Sequence, residues 1–395
     1  MSSRVSRQGA SQKPSKESYR VMLVDDSAVI RGLLTRTLES DPNIEIVATA
    51  SNGEQAILVM KRHAIEVVVL DIEMPVMDGL TALPRLLAID RDVKVIMAST
   101  LTHKNAKVSF QALAAGAADY IPKPSATRDI HSGEDFRREL TQKVKGLGAA
   151  YRLNRGEGRA DAAASGYPAR ALSSPKAIMR DKTADAGASD ARAIDLRRAS
   201  PGKVDIIAIG SSTGGPEALL ALMKELNGSV DVPVMITQHM PPTFTTILAD
   251  HIGRASGKKC AEAVDGERVL PGRIFVAHGD YHMTVALEDG EKVIHLNQDP
   301  PVNYCRPAVD MMLTSLAQTY GRNVLAVILT GMGHDGLDGG RAVTEADGIV
   351  IAQDEATSVI WGMPGAVAQA GLCSAVLPID RIAPYLRQNA GRRVK

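Results

Sequence analysis

The chain has 395 residues and a formal net charge of +1 at pH 7, so it exceeds one ordinary domain and carries no large basic field. This balance argues against nucleic acid as the main partner, and no apolar stretch is long enough to insert into a bilayer. The three cysteines (Cys260, Cys305 and Cys373) lack zinc or redox spacing, which predicts a cytoplasmic protein with free thiols.

Residues 1–18 are polar and basic without an apolar core segment, so they are predicted to be a disordered tail and not a signal peptide. Residues 19–147 then alternate strand and helix patterns. The strands read YRVMLV, IEIVAT, VVVL, KVIMA and DYI, and an amphipathic helix at DFRRELTQKVKGL closes the unit. Short apolar strands joined by helical crossovers predict an α/β domain with a doubly wound parallel sheet.

Acidic side chains follow the strands of this first domain. Asp25 and Asp26 follow the first strand, and Asp71 follows the third. Three carboxylates at the carboxyl edge of one sheet would repel one another unless a hard cation such as Mg²⁺ joined them. Ser99 and Lys123, after the fourth and fifth strands, could contact a phosphoryl group on a metal-bound aspartate. The plainer alternative is that the aspartates cap helices or begin turns.

Residues 148–202 are rich in Ala, Ser, Gly, Arg and Asp, which predicts a long flexible linker. Strand and helix patterns return over residues 203–386, so a second doubly wound α/β domain is expected there. Residues 387–395 are predicted to be a C-terminal tail.

Three residues of catalytic type follow strands of this second domain. Ser212 lies in the glycine-rich turn of DIIAIGSSTGG, His239 ends VPVMITQHM, and Asp335 follows the strand in NVLAVILTGMGHDG. A serine needs a base to take its proton, a histidine can serve, and an aspartate can orient the imidazole. Backbone N–H groups near Thr213 and Met332 could stabilise a developing oxyanion.

Each of these residues has an alternative interpretation. The glycine-rich turn could cradle a phosphate in a nucleotide-binding module, although it lacks the G-K-[ST] ending of a Walker loop. His239 could be a loop residue, and Asp335 a turn residue or cation ligand. The second domain could also be an inactive module that acts by binding. A transcription factor is the weakest alternative, because no helix-turn-helix unit is evident.

The pattern DD…DIEMPVMDG…S…KP closely resembles the receiver domain of two-component response regulators, whose fold is flavodoxin-like. The resemblance implies that Asp71 accepts a phosphoryl group from a histidine kinase. It also implies that Asp26, Asp71 and the backbone carbonyl of Glu73 bind Mg²⁺, with Asp25 assisting. The residues that would sense the phosphoryl group are Ser99, Lys123 and, as the aromatic switch, Tyr120.

The segments IGSSTGG, TQHMPP, DGERVLPG, RPAVDMM, LTGMGHDG and AQDEATSVIWGMP resemble the Rossmann-like catalytic domain of bacterial chemotaxis protein-glutamate methylesterases. The resemblance implies that Ser212 is the nucleophile, His239 the general base and Asp335 its orienting acid. Met332 would contribute a backbone amide to the oxyanion hole. Arg306 matches an arginine near the site of that family. The hydrolase reaction would need no cofactor.

This resemblance implies hydrolysis of glutamyl methyl esters on chemoreceptors and deamidation of specific receptor glutamines. The order of the two domains predicts control by the receiver, which would cover the catalytic mouth until it is phosphorylated. Two residues depart from the family pattern: Ser211 stands where a smaller residue is usual, and His334 where an asparagine is common. The linker is also longer than in compact members.

Overall fold

A computed structural model describes residues 18–100, 102–123, 130–156, 194–199 and 202–390. The predicted N-terminal tail up to residue 17, linker residues 157–193 and 200–201, and tail residues 391–395 lie outside the described residues. The described part confirms the predicted fold class, because it contains two parallel-sheet α/β units. No helix in that part is both long and apolar enough to cross a membrane.

The first sheet has five parallel strands in the order β2-β1-β3-β4-β5. Its central strand β3, VVVLD, is buried along its whole length, as expected for a strand covered by helices on both faces. The elements in chain order are β1 Tyr19–Val24, α1 Ala28–Leu38, β2 Ile44–Ala50, α2 Gly53–Met60, β3 Val67–Asp71, α3 Gly79–Ile89, β4 Lys94–Ser99, α4 His103–Ala114, β5 Asp119–Pro122 and α5 Ile130–Asn154.

Helix α5 runs beyond the predicted domain end at Leu147 to Asn154, inside the segment expected to be linker. Its last turns are anchored to the first domain. The Arg152 guanidinium is buried, and its Nε donates to Glu66 Oε1 at 2.7 Å. Tyr151 is also buried, and its hydroxyl donates to Asp90 Oδ2 at 3.0 Å. These contacts hold the last turns of the helix against the first domain, since leaving the buried Glu66 charge without Arg152 would be strongly destabilising.

The second sheet has seven parallel strands in the order β14-β13-β12-β6-β7-β9-β8. Helix α11 continues four residues past the predicted domain end at residue 386. The elements are β6 Ile206–Ser211, α6 Gly215–Leu226, β7 Val234–Gln238, α7 Pro242–Ser256, β8 Lys259–Glu262, β9 Arg273–Val276, β10 His282–Glu288, β11 Glu291–Asn297, α8 Val309–Tyr320, β12 Val324–Ile328, α9 Leu337–Glu345, β13 Ile349–Gln353, α10 Met363–Gln369, β14 Ala375–Leu377 and α11 Ile379–Ala390.

Strands β10 and β11 form an antiparallel hairpin outside the main sheet, which the sequence analysis did not predict. Asp289 and Gly290 connect them with φ values of 48° and 84°. Aspartate followed by glycine is favoured in such two-residue turns, because both positions need a positive φ. The hairpin packs on α8, and the Val285 N–H donates to Ser315 Oγ at 3.0 Å.

The two domains meet through two apolar clusters, in which α4, β5 and α5 of the first domain pack against the second domain. The rings of Tyr120 and Phe244 stack with centroids 4.2 Å apart and planes 7° from parallel. Phe110 packs on Phe244 from a second side, at 6.2 Å. In the second cluster, Val144 on α5 packs with Ile360 of the second domain. The first domain is therefore docked on the second through buried side chains.

Candidate active site

Ser212 directly follows β6, the strand at which the order of the second sheet reverses between β12 and β7. Ligands of doubly wound sheets bind at this switch point. Gly214 has a φ of 76° and ends the turn, and α6 begins at Gly215 with Pro216 in its first turn. A Cβ at Gly215 would lie 2.0 Å from Gln238 Oε1. The glycines therefore let the chain turn sharply and expose the serine at the mouth of the sheet.

The two adjacent serines occupy different environments. Ser211 is fully buried, and its hydroxyl donates to Gln238 Oε1 at 2.7 Å. Ser212 is half-buried and lines an open cleft. Gln238 Nε2 donates to the Ser212 carbonyl at 2.9 Å and so supports the turn. The larger residue at position 211 is thus accommodated by a hydrogen bond, and Ser212 is the serine that a molecule in the cleft would meet.

His239 and Asp335 are directly paired, with His239 Nε2 2.7 Å from Asp335 Oδ2. The carboxylate also accepts the N–H groups of Val309 at 2.6 Å and Asp310 at 3.0 Å, which begin helix α8. Burial opposes ionisation of Asp335, but the hydrogen bond to His239 and these amides lower its pKa to about 2. The aspartate is therefore a fixed anion that can orient the imidazole and stabilise its charged form.

Asp335 binds the start of α8, which contains Asp310, and Asp310 in turn binds the start of α9, which follows Asp335. Asp310 Oδ1 accepts the N–H groups of Gly336 at 2.9 Å and Gly339 at 2.7 Å, at the start of α9. Asn303 Nδ2 donates to Asp310 Oδ2 at 2.9 Å and contacts Asp335 Oδ1 at 3.3 Å. Burial and the nearby Asp335 charge raise the pKa of Asp310 to about 6. This arrangement holds Asp335 rigidly.

The second ring nitrogen of His239, Nδ1, lies 3.4 Å from the Cys305 thiol sulfur. Within the described chain, no hydrogen bond joins His239 to Ser212, although both line the same cleft. Burial would lower the pKa of His239, but the neighbouring Cys305 and Asp335 raise it well above its ordinary value. The base and the serine are therefore brought to one cleft, and the ring nitrogen that could serve Ser212 is occupied by a thiol.

Thr213 directly follows Ser212, and Met332 lines the same cleft as Ser212, so both remain candidates for an oxyanion hole. Neither backbone N–H donates a hydrogen bond to any part of the chain that the structure describes. The Thr213 side chain is buried, and its hydroxyl donates to Asp119 Oδ2 of the first domain at 2.6 Å. A carboxylate of the first domain therefore binds directly to the residue that follows Ser212.

Arg306 lines the cleft but contacts none of Ser212, His239 and Asp335. Its guanidinium pairs with Asp280 at 2.6 Å and donates to the backbone carbonyls of Gln298 and Asp299. These bonds tie the loop between β9 and β10 to the loop between β11 and α8, both in the cleft wall. His334 is exposed at the cleft and precedes Asp335 without contacting it.

Both domains line the cleft, which has a volume of about 1360 Å³. Helix α5 of the first domain supplies one wall, including Arg138, whose guanidinium lies 3.8 Å from the ring centroid of Tyr304 on the second domain. Lys143 on the same helix pairs with Asp119 at 3.0 Å and donates to the Tyr120 carbonyl at 2.7 Å. The first domain thus lines one side of the candidate active site.

The acidic residues predicted in the first domain do converge. Carboxylate oxygens of Asp25, Asp26 and Asp71 lie within 4.8 Å of one another, and Lys123 Nζ is 2.7 Å from both Asp25 Oδ2 and Asp71 Oδ1. Burial, together with the Asp25 charge, raises the pKa of Asp71 although Lys123 opposes this. At Gly79 a Cβ would lie 2.0 Å from the Asp71 carbonyl oxygen, so the loop that closes this pocket requires glycine.

Three further predicted residues of the first domain, Glu73, Ser99 and Tyr120, lie near this pocket or in the domain interface. The Glu73 backbone N–H bonds to the Asp71 carboxylate. Ser99 is buried at the end of β4, with its hydroxyl 3.3 Å from that of Ser109. Tyr120 is buried in the domain interface, stacked on Phe244.

Sequence reasoning did not identify Asp119, Asn303, Cys305 or Asp310 as residues of the site. Two of them were within reach, because Cys305 and Asp310 flank or belong to RPAVDMM, a segment already singled out. An aspartate shortly after a proline, here Asp310 three residues after Pro307, is a signal for a helix start. Asp119 carried no such signal, since its role depends on how the domains dock.

Comparisons with known proteins agree on the family. Residues 207–386 match the CheB methylesterase family, and residues 21–133 match the response regulator receiver domain. The chain is 54% identical to the protein-glutamate methylesterase/protein-glutamine glutaminase of group 2 operon from Rhodospirillum centenum, covering 95% of both chains. It is also 54% identical to protein-glutamate methylesterase/protein-glutamine glutaminase 1 from Paramagnetospirillum magneticum, covering 97% of this chain and 99% of that one.

The CheB methylesterase catalytic domain of Thermotoga maritima, a crystal structure, is 40% identical with a TM-score of 0.46, covering 47% of this chain and 99% of that one. The near full-length matches at 54% identity decide the assignment. The chain belongs to the CheB methylesterase family and carries the receiver domain of a response regulator ahead of its methylesterase domain.

Proposed function

We propose that this protein hydrolyses glutamyl methyl esters of methyl-accepting chemoreceptors to glutamate and methanol, and deamidates specific receptor glutamines. Both reactions are acyl transfers at a side-chain carbonyl, so one serine site can perform both. The observation that carries the proposal is the His239–Asp335 pair at 2.7 Å, which lines the same cleft as Ser212. The match with named methylesterase/glutaminases supports the substrate class.

In the proposed reaction, the Ser212 hydroxyl attacks the ester carbonyl while His239 takes its proton. Asp335 keeps Nε2 occupied and stabilises the imidazolium, so the transferred proton must reach Nδ1. The N–H groups of Thr213 and Met332 are unengaged within the described chain and would donate to the oxyanion. The His239 imidazolium then gives its proton to the departing methoxide or amide nitrogen, which leaves as methanol or ammonia. Water next gives a proton to His239 as it attacks the acyl-enzyme, and the proton returns to the Ser212 oxygen when the glutamate is released.

We infer that the receiver is phosphorylated on Asp71 by a histidine kinase. Three carboxylates have oxygens within 4.8 Å of one another, and such hard oxygen ligands are the kind that Mg²⁺ prefers. Asp25, Asp26 and Asp71 would hold it, with the Glu73 carbonyl completing the set, and the ion would offset charge on the incoming phosphoryl group. Lys123, 2.7 Å from Asp71, would pair with the phosphoryl oxygens, and Ser99 would donate to them.

The receiver regulates the esterase by its position. Its helix α5 lines the cleft, and Asp119 binds Thr213, so we infer that α5 must move for a receptor helix to reach Ser212. Phosphorylation of Asp71 would shift the protein toward a form with the cleft open. The kinase and the chemoreceptors are the proposed partners, and the cytoplasm is the proposed compartment.

Methanol release from methylated receptor membranes tests the proposal directly. Ser212→Ala should lower the rate by about 10³-fold or more, because the variant lacks the proposed nucleophile. Ser211→Ala is the matched control on the neighbouring serine, and it should keep most of the activity because its hydroxyl only bonds Gln238. Loss of activity in Ser211→Ala with retention in Ser212→Ala would reverse the assignment. Absence of methanol release by the intact protein, with or without phosphodonor, would reject the function.

A further inference from the structure

Cys305 is a nucleophilic side chain that the proposed reaction does not use. It is half-buried in the wall of the cleft that Ser212 and His239 line. Its sulfur lies 3.4 Å from His239 Nδ1 and 3.4 Å from the Asn303 carbonyl oxygen. The thiol therefore sits in the active site, beside the nitrogen that the serine needs.

Cys305, His239 and Asp335 form a row in which a thiol contacts an imidazole and the imidazole contacts a carboxylate. His239 Nδ1 faces the thiol, and its Nε2 is held by Asp335 Oδ2 at 2.7 Å. An imidazole next to a thiol can take its proton and leave a thiolate beside an imidazolium, which is how thiols are made reactive in many proteins. The buried Asp335 charge favours the imidazolium side of that exchange.

The other two cysteines provide an internal comparison. Burial raises the pKa of both the Cys260 and the Cys373 thiols to about 12. Such a thiol is ionised in roughly one molecule in 10⁴ or fewer near pH 7.5, so it reacts slowly. Neither cysteine lines the cleft or has a hydrogen bond to an imidazole among the described residues. Reactivity toward electrophiles should therefore be concentrated at Cys305.

We propose that Cys305 is a site of covalent modification by small electrophiles, and that its modification switches the esterase off. This rests on the proposed function for its effect on hydrolysis, but the reactivity of the thiol does not. With iodoacetamide as the electrophile, His239 takes the thiol proton and the thiolate attacks the CH₂ carbon. The S–C bond forms, the C–I bond breaks, iodide leaves, and the imidazolium proton passes to solvent.

The adduct would disable the site by occupying the space beside His239 Nδ1. Nε2 is committed to Asp335, so Nδ1 is the nitrogen left to take the Ser212 proton. A carbamidomethyl group on a sulfur 3.4 Å from Nδ1 would stand between the base and an incoming ester. Ser212 itself would remain unmodified.

The full-length protein is treated with iodoacetamide near pH 7.5, and two quantities are followed in the same samples. Peptide mass spectrometry gives the carbamidomethylation rate at each of the three cysteines, and methanol release gives the remaining activity. We expect Cys305 to be labelled at least about tenfold faster than Cys260 and Cys373, with activity lost at the Cys305 rate.

Variants separate the thiol from the rest of the site. Cys305→Ala and Cys305→Ser should each keep their own untreated activity during the treatment, whatever that activity is. Cys260→Ala, the matched control, should be inactivated at the wild-type rate. His239→Gln should slow labelling of Cys305 about tenfold and leave Cys260 unchanged, because the base that takes the thiol proton is gone.

Labelling of Cys305 no faster than that of Cys260 would overturn the proposed reactivity. Continued inactivation of Cys305→Ala, or full labelling of Cys305 with activity intact, would overturn the switch. If the untreated protein releases no methanol, the proposed function fails, and the labelling rates in wild type and His239→Gln still decide whether Cys305 is the reactive thiol.

Discussion

A larger side chain on α5, at its contact with the methylesterase domain, should activate the enzyme without phosphorylation. Gly146 lies on the face of α5 that packs on the methylesterase domain, and a Cβ there would be 2.9 Å from Ile360 Cδ1 and 3.8 Å from Met332 Sδ. Gly146→Leu adds three further carbons at this contact. Overpacking of this kind costs about 1–3 kcal/mol. The cost is paid only in the closed form, since the contact is absent when the domains separate.

The expected change in rate follows from that cost. If the closed form exceeds the open form about a hundredfold, a penalty of about 1–3 kcal/mol raises the open fraction from about 1% to between about 5% and 60%. Basal methanol release should therefore rise about 5- to 60-fold. The further gain from phosphorylation should shrink by the same factor, because the open form is already populated.

Gly133→Leu is the matched control. Gly133 lies on the same helix, and nothing is within 4 Å of a Cβ placed there. Both substitutions gain helix propensity, of about 1 kcal/mol, so they differ only in the domain contact. Methanol release is measured for both variants with and without acetyl phosphate. A Gly146→Leu protein with wild-type basal activity and wild-type activation would refute the claim that this contact holds the cleft closed.

Three further predictions concern single aspartates. Asp71→Ala, or removal of Mg²⁺ with EDTA, should abolish activation by acetyl phosphate and leave basal methanol release unchanged; activation that survives either treatment would contradict the assignment of the phosphorylation site. Asp335→Asn should lower the rate of methanol release about 10³- to 10⁴-fold, because the imidazolium of His239 loses its anion; a loss under tenfold would contradict its role. Asp310 binds more protons in the folded than in the unfolded protein between pH 3.8 and about 6, so it should make the free energy of unfolding fall as the pH rises through that window. Urea unfolding at pH 4 and pH 6.5 should show that Asp310→Asn loses less stability over this interval than wild type does, and an equal loss would argue against the raised pKa.

Much of the fold was predictable because its signals are local. The strand β3, VVVLD, is a continuous apolar run of a kind that only a strand covered on both faces uses, and the polar residues after each strand marked the ligand-binding edge. Ser212, His239 and Asp335 were predicted as site residues in this way. The hairpin β10–β11 was not predicted, although the Asp-Gly pair at Asp289 and Gly290 is a known signal for a two-residue hairpin turn.

The rest depends on contacts that no local pattern contains. Cys305 meets His239 because the loop before α8 folds back over the cleft, and its conformation includes Asn303 and Tyr304 at positive φ. Asp119 reaches Thr213 only because the receiver docks through β5 and α5. Such arrangements follow from the packing of whole domains, and a single sequence gives no direct measure of it.

The stacked rings of Tyr120 and Phe244 limit how interchangeable the receiver is. A receiver transplanted from a stand-alone regulator would keep its own phosphorylation site. The residue that replaced Tyr120, however, would not be matched to the surface around Phe244. The resulting chimera would accept phosphate and hydrolyse esters as two unrelated activities. Rewiring this enzyme to a foreign kinase therefore requires the beginning of α7 to be redesigned together with the borrowed domain.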